Sequence, residues 1–320
     1  MTLRFSRRGL LSAAAGGALG LASYQVSQPA LADQKTLRIG FQKYGTLILL
    51  KGKGTLEKTL EPLGYGVTWT EFPAGPQLLE GLNVGAIDFG STGEAPPIFA
   101  QAAGAPLVYV AHEPPAPKGE AILVPKDSAI RSVADLKGKK VALNKGSNVH
   151  YLLVKALEKA GVSYADIETK FLPPADARAA FEQGSVDAWV IWDPFQAAAE
   201  AATGARTLAN GEGLVANHQF YLGTSDFISG HGKAIDVLLA QIAELDQWAN
   251  GNTDAVADQL AASVGIPAPI LKIALARQTF GITTLSGEVV KGQQEIADAF
   301  HKLGLIPKPI SIADAVAKIG

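Results

Sequence analysis

The chain has 320 residues, 48% of them hydrophobic and 18% charged, with a formal net charge of −2. These proportions exclude a disordered chain, suffice for one large domain or two medium ones, and give no global pull toward nucleic acid or an anionic membrane. The absence of cysteine excludes disulfides, thiolate metal sites, iron–sulfur clusters, a cysteine nucleophile and a lipid-modified N-terminal cysteine together.

The N-terminus reads as an export signal. Arg4, Arg7 and Arg8 form a positive region, Gly9 to Ala22 is apolar and free of acids, and Ala30-Leu31-Ala32 supplies a small-x-small cleavage pattern. Cleavage after Ala32 starts the mature chain at Asp33. Ser6-Arg7-Arg8-Gly9-Leu10-Leu11 also resembles the twin-arginine export motif; the alternative is an ordinary secretory signal holding two adjacent arginines. The apolar stretch is too short and glycine-rich for a membrane span, and no later segment qualifies, so a freely soluble exported protein is expected.

Strand and helix then alternate. Strand Leu37 to Phe41 leads into helix Leu47 to Leu60, and strand Tyr65 to Phe72 into helix Gln77 to Leu82. Ala86 to Phe89 is a short strand, followed by a loop at Gly90 to Glu94, helix Pro96 to Ala103 and strand Leu107 to Ala111. His112 to Gly119, with three prolines, reads as a linker. A second series follows: strands at Ala121 to Val124, Lys140 to Leu143, Phe171-Leu172 and Val186 to Trp192, helices at Val149 to Ala160, Ala175 to Gln183 and Phe195 to Ala202. Ser132 to Leu136 is a helical turn, and Phe220 to Leu222 a strand returning toward the first series. Helices at 234–250, 253–264, 268–277, 288–303 and 312–319 complete the chain. The rhythm predicts an α/β protein of two mainly parallel sheets flanked by helices.

Ligands of open α/β sheets collect at the carboxyl ends of the strands, where helix N-termini favour anions. Five junctions combine glycine or proline with hydroxyl, amide or aromatic groups: Gln42-Lys43-Tyr44-Gly45-Thr46, Pro73-Ala74-Gly75-Pro76-Gln77, Ser91-Thr92-Gly93-Glu94, Asn144-Lys145-Gly146-Ser147-Asn148 and Trp192-Asp193-Pro194-Phe195. Each alone also reads as ordinary capping and turn chemistry. Five of them in two series point to a shared anion site. Trp189 and Trp192, three apart on a strand, face opposite sides: one suits the core, the other a cleft wall. Tyr44, Phe195 and Tyr221 are further wall candidates, and His150 is either wall or interior. No G-x-S-x-G, H-E-x-x-H, Walker A or EF-hand pattern occurs, and the histidines lack metal-ligand spacing. The reading is a non-enzyme with no cofactor, no metal and no nucleic-acid partner.

From Lys35 to about Pro309 the chain resembles the aliphatic-sulfonate-binding proteins of ABC importers, relatives of the nitrate- and taurine-binding proteins. The segments that carry the resemblance are Arg38 to Gly45, Phe72 to Leu79, Ser91 to Pro97, Asn144 to Tyr151 and Asp187 to Phe195. It implies a two-lobed periplasmic-binding-protein fold of type II, closing on its ligand about two crossings near His112–Gly119 and Tyr221. It also implies a small anionic organic solute, an alkanesulfonate, passed by a monomeric receptor to a membrane permease; taurine, nitrate or a sulfate ester is the alternative. The expected division is signal 1–32, first lobe 33–114, second lobe 115–222, and return to the first lobe with C-terminal helices 223–320. The expected ligand-binding set is Gln42, Tyr44, Gly45, Gly75, Pro76, Thr92, Gly93, Glu94, Ser147, Asn148, Trp192, Asp193, Phe195 and Tyr221. Gly93, Ser147 and Asn148 would hold the anion, and Tyr44, Trp192, Phe195 and Tyr221 would surround the tail. Enzymes on this fold, such as pyrimidine synthases and porphobilinogen deaminases, depend on cysteines that this chain lacks.

Overall fold

The computed structural model describes residues 35–318. The export signal, its twin-arginine run and the cleavage site after Ala32 lie outside the described residues. Among the described residues ten strands build two sheets: β1 Lys35–Phe41, β2 Tyr65–Glu71, β3 Phe89–Gly93, β4 Leu107–His112, β5 Glu120–Val124, β6 Lys140–Leu143, β7 Glu168–Phe171, β8 Ala188–Trp192, β9 Arg206–Asn210 and β10 Gln219–Thr224. The first sheet has the order β2-β1-β3-β10-β4 and the second β7-β6-β8-β5-β9.

Each sheet is mixed rather than mainly parallel. β10 runs antiparallel to β3 and β4, and β5 antiparallel to β8 and β9. The reversed strand is in each case the first after the chain crosses from the other half. Its amino end therefore meets the carboxyl ends of its neighbours: Glu120 pairs with Trp192 and Gln219 with Gly93. Since β10 belongs to the first sheet, the second crossing ends before Gln219, upstream of the boundary expected at 222.

Twelve α-helices of the described residues cover the sheets: α1 Thr46–Lys53, α2 Thr55–Leu60, α3 Gly75–Asn83, α4 Pro96–Ala102, α5 Asn148–Lys159, α6 Pro174–Glu182, α7 Phe195–Thr203, α8 Ser225–Gly230, α9 Gly232–Gly251, α10 Thr253–Val264, α11 Ala268–Leu275 and α12 Gly287–Lys302. The helix expected over 47–60 is two, divided at Gly54, whose φ of 60° and ψ of 28° end one and begin the next. The expected loop Gly90 to Gly93 is the fully buried strand β3. β9 and α8 carry too little apolar periodicity to be foreseen. The helix expected at 312–319 is a single tight turn, Ala313–Ala315; beyond it Val316 bridges Tyr109, and Ala317 N–H donates to Tyr109 O at 2.8 Å.

One apolar cluster joins β1 and the α1 side of the first sheet to Leu238, Ile242, Val256, Leu271 and Leu275 of α9, α10 and α11. Another unites the second sheet with α3, α4 and α12. In it Phe300 of α12 packs on Phe99, His150 and Tyr151, so α12 ties the two halves together behind the crossings. His150 is an interior residue: fully buried, it accepts Gly146 N–H at Nδ1 and lies 2.7 Å from Tyr164 OH through Nε2. Burial pushes its pKa down to about 4, so it stays neutral. Among the described residues no helix is long and apolar enough to cross a membrane.

Candidate functional site

The carboxyl ends of the two sheets face each other across a cleft of about 620 Å³ of empty space, its mouth included. The first half supplies Tyr44, Gly45, Thr46 and Gly93; the second supplies Gly119, Asn148, Trp192 and Asp193. Glu113, Pro114 and Ala116 come from one crossing, Asn217 and His218 from the other, and Gln219 from the start of β10. Ala274 comes from α11, and Gln278, Thr279 and Phe280 from the segment after it. No lysine or arginine is among the lining residues.

Two helix starts open into this space uncapped. Gly45 precedes α1 and has no side chain to offer; Ser147 precedes α5, but its hydroxyl donates to Asn144 O at 2.7 Å instead of accepting from the helix. Neither first turn carries an acidic residue. Their N–H groups and partial positive charge are therefore available to an anion. α7 differs: Asp193 Oδ1 accepts from Ala197 N–H at 3.0 Å, so that start is already capped. A further unused donor is the indole N–H of Trp192, buried and without a partner. Phe195 supports that indole edge-on, with ring centroids 6.3 Å apart, and Trp189 faces the other side against Phe181.

The halves approach closely at Gly93, where an added Cβ would meet Asn148 side-chain atoms at 2.9–3.0 Å. Asn148 spends both amide hydrogens, on Glu120 Oε2 at 2.5 Å and Asn217 Oδ1 at 3.0 Å. That leaves its backbone N–H, at the start of α5, as the donor not used by its own side chain. Burial, reinforced by the charge of Glu94, pushes Glu120 well above the usual carboxyl range. Burial also pushes Glu94 up to about 7, against the backbone N–H of His218 and Asn217. Glu113 is raised by burial too, although it accepts from Tyr221 OH at 2.5 Å and Gly281 N–H at 2.6 Å. Asp193 rises to about 6 by burial, with the guanidinium of Arg277 3.2 Å away opposing the shift.

Of the expected site residues, Tyr44, Gly45, Gly93, Asn148, Trp192 and Asp193 line the cleft. The others stand behind it or elsewhere. Gln42 donates to Ser91 O at 3.0 Å, tying β1 to β3, and the Thr92 hydroxyl donates to Gly93 O at 2.8 Å. Ser147 is turned inward and Phe195 backs Trp192. Gly75 packs against Pro96, while Pro76 lines a separate surface groove with Leu79 and Phe99. Glu94 faces a second cavity behind the crossings. Tyr221 is fully buried, stacked on Phe89 inside the first sheet. Its wall position passes to Gln219, two residues back on β10.

The residues not foreseen come from the crossings and the segment 276–286. That segment has no regular structure but is pinned at several points. Asn250 exchanges two hydrogen bonds with the Phe280 backbone, at 2.7 and 3.0 Å, and Thr283 exchanges two with the His112 backbone, both 2.9 Å. Asn217, at φ 52°, links the crossings by donating to Ala116 O at 2.9 Å.

The family model described as NMT1/THI5 like matches residues 71–242. An aliphatic sulfonates-binding protein of Escherichia coli (strain K12) is 44% identical over 97% of this chain and 96% of its own. The crystal structure of the periplasmic aliphatic sulphonate binding protein SsuA from Escherichia coli matches with 46% identity and a TM-score of 0.81, over 89% of this chain and 92% of that one. The alkanesulfonate-binding protein SsuA from Xanthomonas axonopodis pv. citri, bound to MOPS, matches with 44% identity and a TM-score of 0.85, over 89% and 99%. The fold is the two-lobed periplasmic-binding-protein architecture of those structures. The chain belongs to the NMT1/THI5-like family and, within it, to the aliphatic-sulfonate-binding proteins.

Proposed function

We propose that the protein captures aliphatic sulfonates in the interlobe cleft and delivers them to the permease of an ABC importer, without chemical change to the ligand. The observation that carries this reading is the donor set: two uncapped helix starts and the unpartnered Trp192 N–H around a cleft with no lysine or arginine in its lining. A sulfonate remains ionised at physiological pH and only accepts hydrogen bonds, so neutral N–H donors suit it. Each helix start contributes about 0.3–1 kcal/mol, more where partly buried. Tyr44, Pro114, Trp192, Ala274 and Phe280 provide apolar surface for a tail, where each methylene removed from water adds about 0.8 kcal/mol.

Simple alkanesulfonates fit better than taurine. An ammonium would need a carboxylate, but Asp193 is engaged by Arg277 and Ala197, Glu113 by Tyr221 and Gly281, and Glu94 faces the rear cavity. The reading includes closure about the crossings at 113–119 and 211–218. It also includes periplasmic residence after twin-arginine export with cleavage behind Ala32, and action as a monomer.

Calorimetry with methane-, butane- and octanesulfonate, taurine, nitrate and sulfate tests it. Butanesulfonate is expected to bind at least about tenfold more tightly than sulfate or nitrate, since a four-carbon tail adds on the order of 3 kcal/mol. Sulfate binding as tight as butanesulfonate would overturn the reading.

A further inference from the structure

Twelve ion pairs are found among the described residues, and only those of Arg277 join the two lobes. Arg277 follows α11, whose Leu271 and Leu275 are rooted in the first-lobe core. Its Nη1 lies 3.3 and 3.2 Å from the two oxygens of Asp193, and its Nη2 lies 2.6 Å from Glu200 Oε2. Both carboxylates belong to the second lobe, Asp193 at the end of β8 and Glu200 on α7. All three side chains are largely shielded, at 20%, 11% and 23% exposure, so the pairing is screened far less than an exposed bridge.

The bridge stands against the cleft, in whose lining Asp193 takes part. Ala274, Gln278, Thr279 and Phe280, on either side of Arg277, form one wall, and Asp193 with Trp192 forms the opposite one. We infer that Arg277 is the positioning residue of this cleft: it clasps the lobes beside the cleft, neutralises Asp193 near an anion, and sets how long the ligand stays. One guanidinium reaches two carboxylates from one position because its donors form a planar fork. The charge balance adds a selectivity. Without Arg277 the Asp193 carboxylate would stand uncompensated in the wall, and an anionic ligand would be repelled.

The chain has no cysteine, so a Lys58→Cys/Asp176→Cys pair on exposed sites of the two lobes accepts spin labels without further change. In the ligand-free protein Arg277→Met is expected to move the label distance distribution toward longer separations. Arg277→Lys restores part of the shorter population, and Glu200→Gln, outside the cleft, shifts it in the same direction by less. The kinetic arm rests on the sulfonate reading. Stopped-flow tryptophan fluorescence is expected to show butanesulfonate leaving Arg277→Met about tenfold faster than wild type, since truncating one partner of a buried charge pair acts mainly on dissociation. An Arg277→Met protein with wild-type circular dichroism and an unchanged distance distribution would overturn the clasp. An unchanged dissociation rate would overturn its effect on residence. A wild-type protein that binds no sulfonate would sink the functional reading alone, with the distances still deciding on the clasp.

Discussion

Trp192 carries two separable properties. Its ring supplies apolar wall, and its buried N–H has no partner. An unpaired buried donor costs about 1–3 kcal/mol, which a ligand acceptor recovers on binding. Trp192→Phe keeps the ring face and removes the donor. Butanesulfonate affinity is expected to fall about tenfold, consistent with one hydrogen bond to a charged acceptor, while the loss is much the same for methanesulfonate, which has hardly any tail. Calorimetry of both ligands on both proteins checks this. A loss confined to the long-tailed ligand would mean that Trp192 acts through its surface and not its N–H. The same scale explains which site residues could be read in advance. Tyr44, Gly45, Gly93, Asn148, Trp192 and Asp193 sit at βα junctions, and the rule placing ligands at strand ends finds them directly. Glu113, Asn217 and His218 arrive through the crossings, and Phe280 through a segment with no periodicity. Nothing in their immediate neighbours marks them. Tyr221 shows the opposite failure: aromatic and near a crossing, it shares a face of β10 with Gln219 but lies two residues deeper, so Gln219 at the strand's amino end reaches the cleft while Tyr221 is buried against Phe89.

At the level of elements, Gly54 shows how a local conformation sets a boundary that hydrophobic periodicity obscures. Leu47, Leu50, Leu56 and Leu60 are all buried, and their spacing reads as one helix. The left-handed backbone at Gly54 turns the chain between α1 and α2 so that both pack against α9. A Cβ there would meet nothing within 4 Å, so the cost of Gly54→Ala is conformational alone, about 1 kcal/mol. Urea unfolding should show that loss with an unchanged m-value, and the Tm should fall by about 2–4 °C. Sulfonate affinity should not change, because the start of α1 at Gly45 is untouched. The strands were legible where β-branched and apolar residues cluster, as in β1, β2 and β8. β9, with the sequence Arg-Thr-Leu-Ala-Asn and no fully buried residue, is recruited at a sheet edge by pairing with β5. Tertiary pairing creates that strand, and local sequence does not announce it.

Across the molecule, buried carboxyls make stability depend on pH. Burial raises Asp193 to about 6, Glu94 to about 7 and Asp246 to about 8, the last also facing the charge of Glu113. A carboxyl whose folded pKa is raised contributes stability that is present below its unfolded pKa and lost as pH climbs through the folded value. His150, depressed to about 4, acts oppositely and only below its unfolded value near 6.5. Above pH 6.5 the carboxyls are therefore unopposed by His150, and Tm is expected to decline between pH 6.5 and 8.5. Asp246→Asn retains an oxygen to accept the Thr46 hydroxyl, which donates to Asp246 at 2.5 Å, and removes the largest of these shifts. Its Tm should exceed that of wild type by at least about 2 °C at pH 8.5 and by less at pH 6. Scanning calorimetry across this range checks both the slope and its removal. A wild-type Tm rising over the same interval would contradict the assignment.

The reversed central strand β10 has a consequence for the order in which the chain can fold. The second sheet is assembled from one uninterrupted stretch, β5 to β9, and every partner it needs has emerged once Asn210 is made. The first sheet, although begun earlier, lacks the strand that joins β3 to β4 until residues 219–224 appear. During vectorial synthesis the later half can therefore close first, while β1 to β4 wait as two separated pieces with unpaired edges. The same strand that delivers Gln219 to the cleft makes the N-terminal half the last to mature.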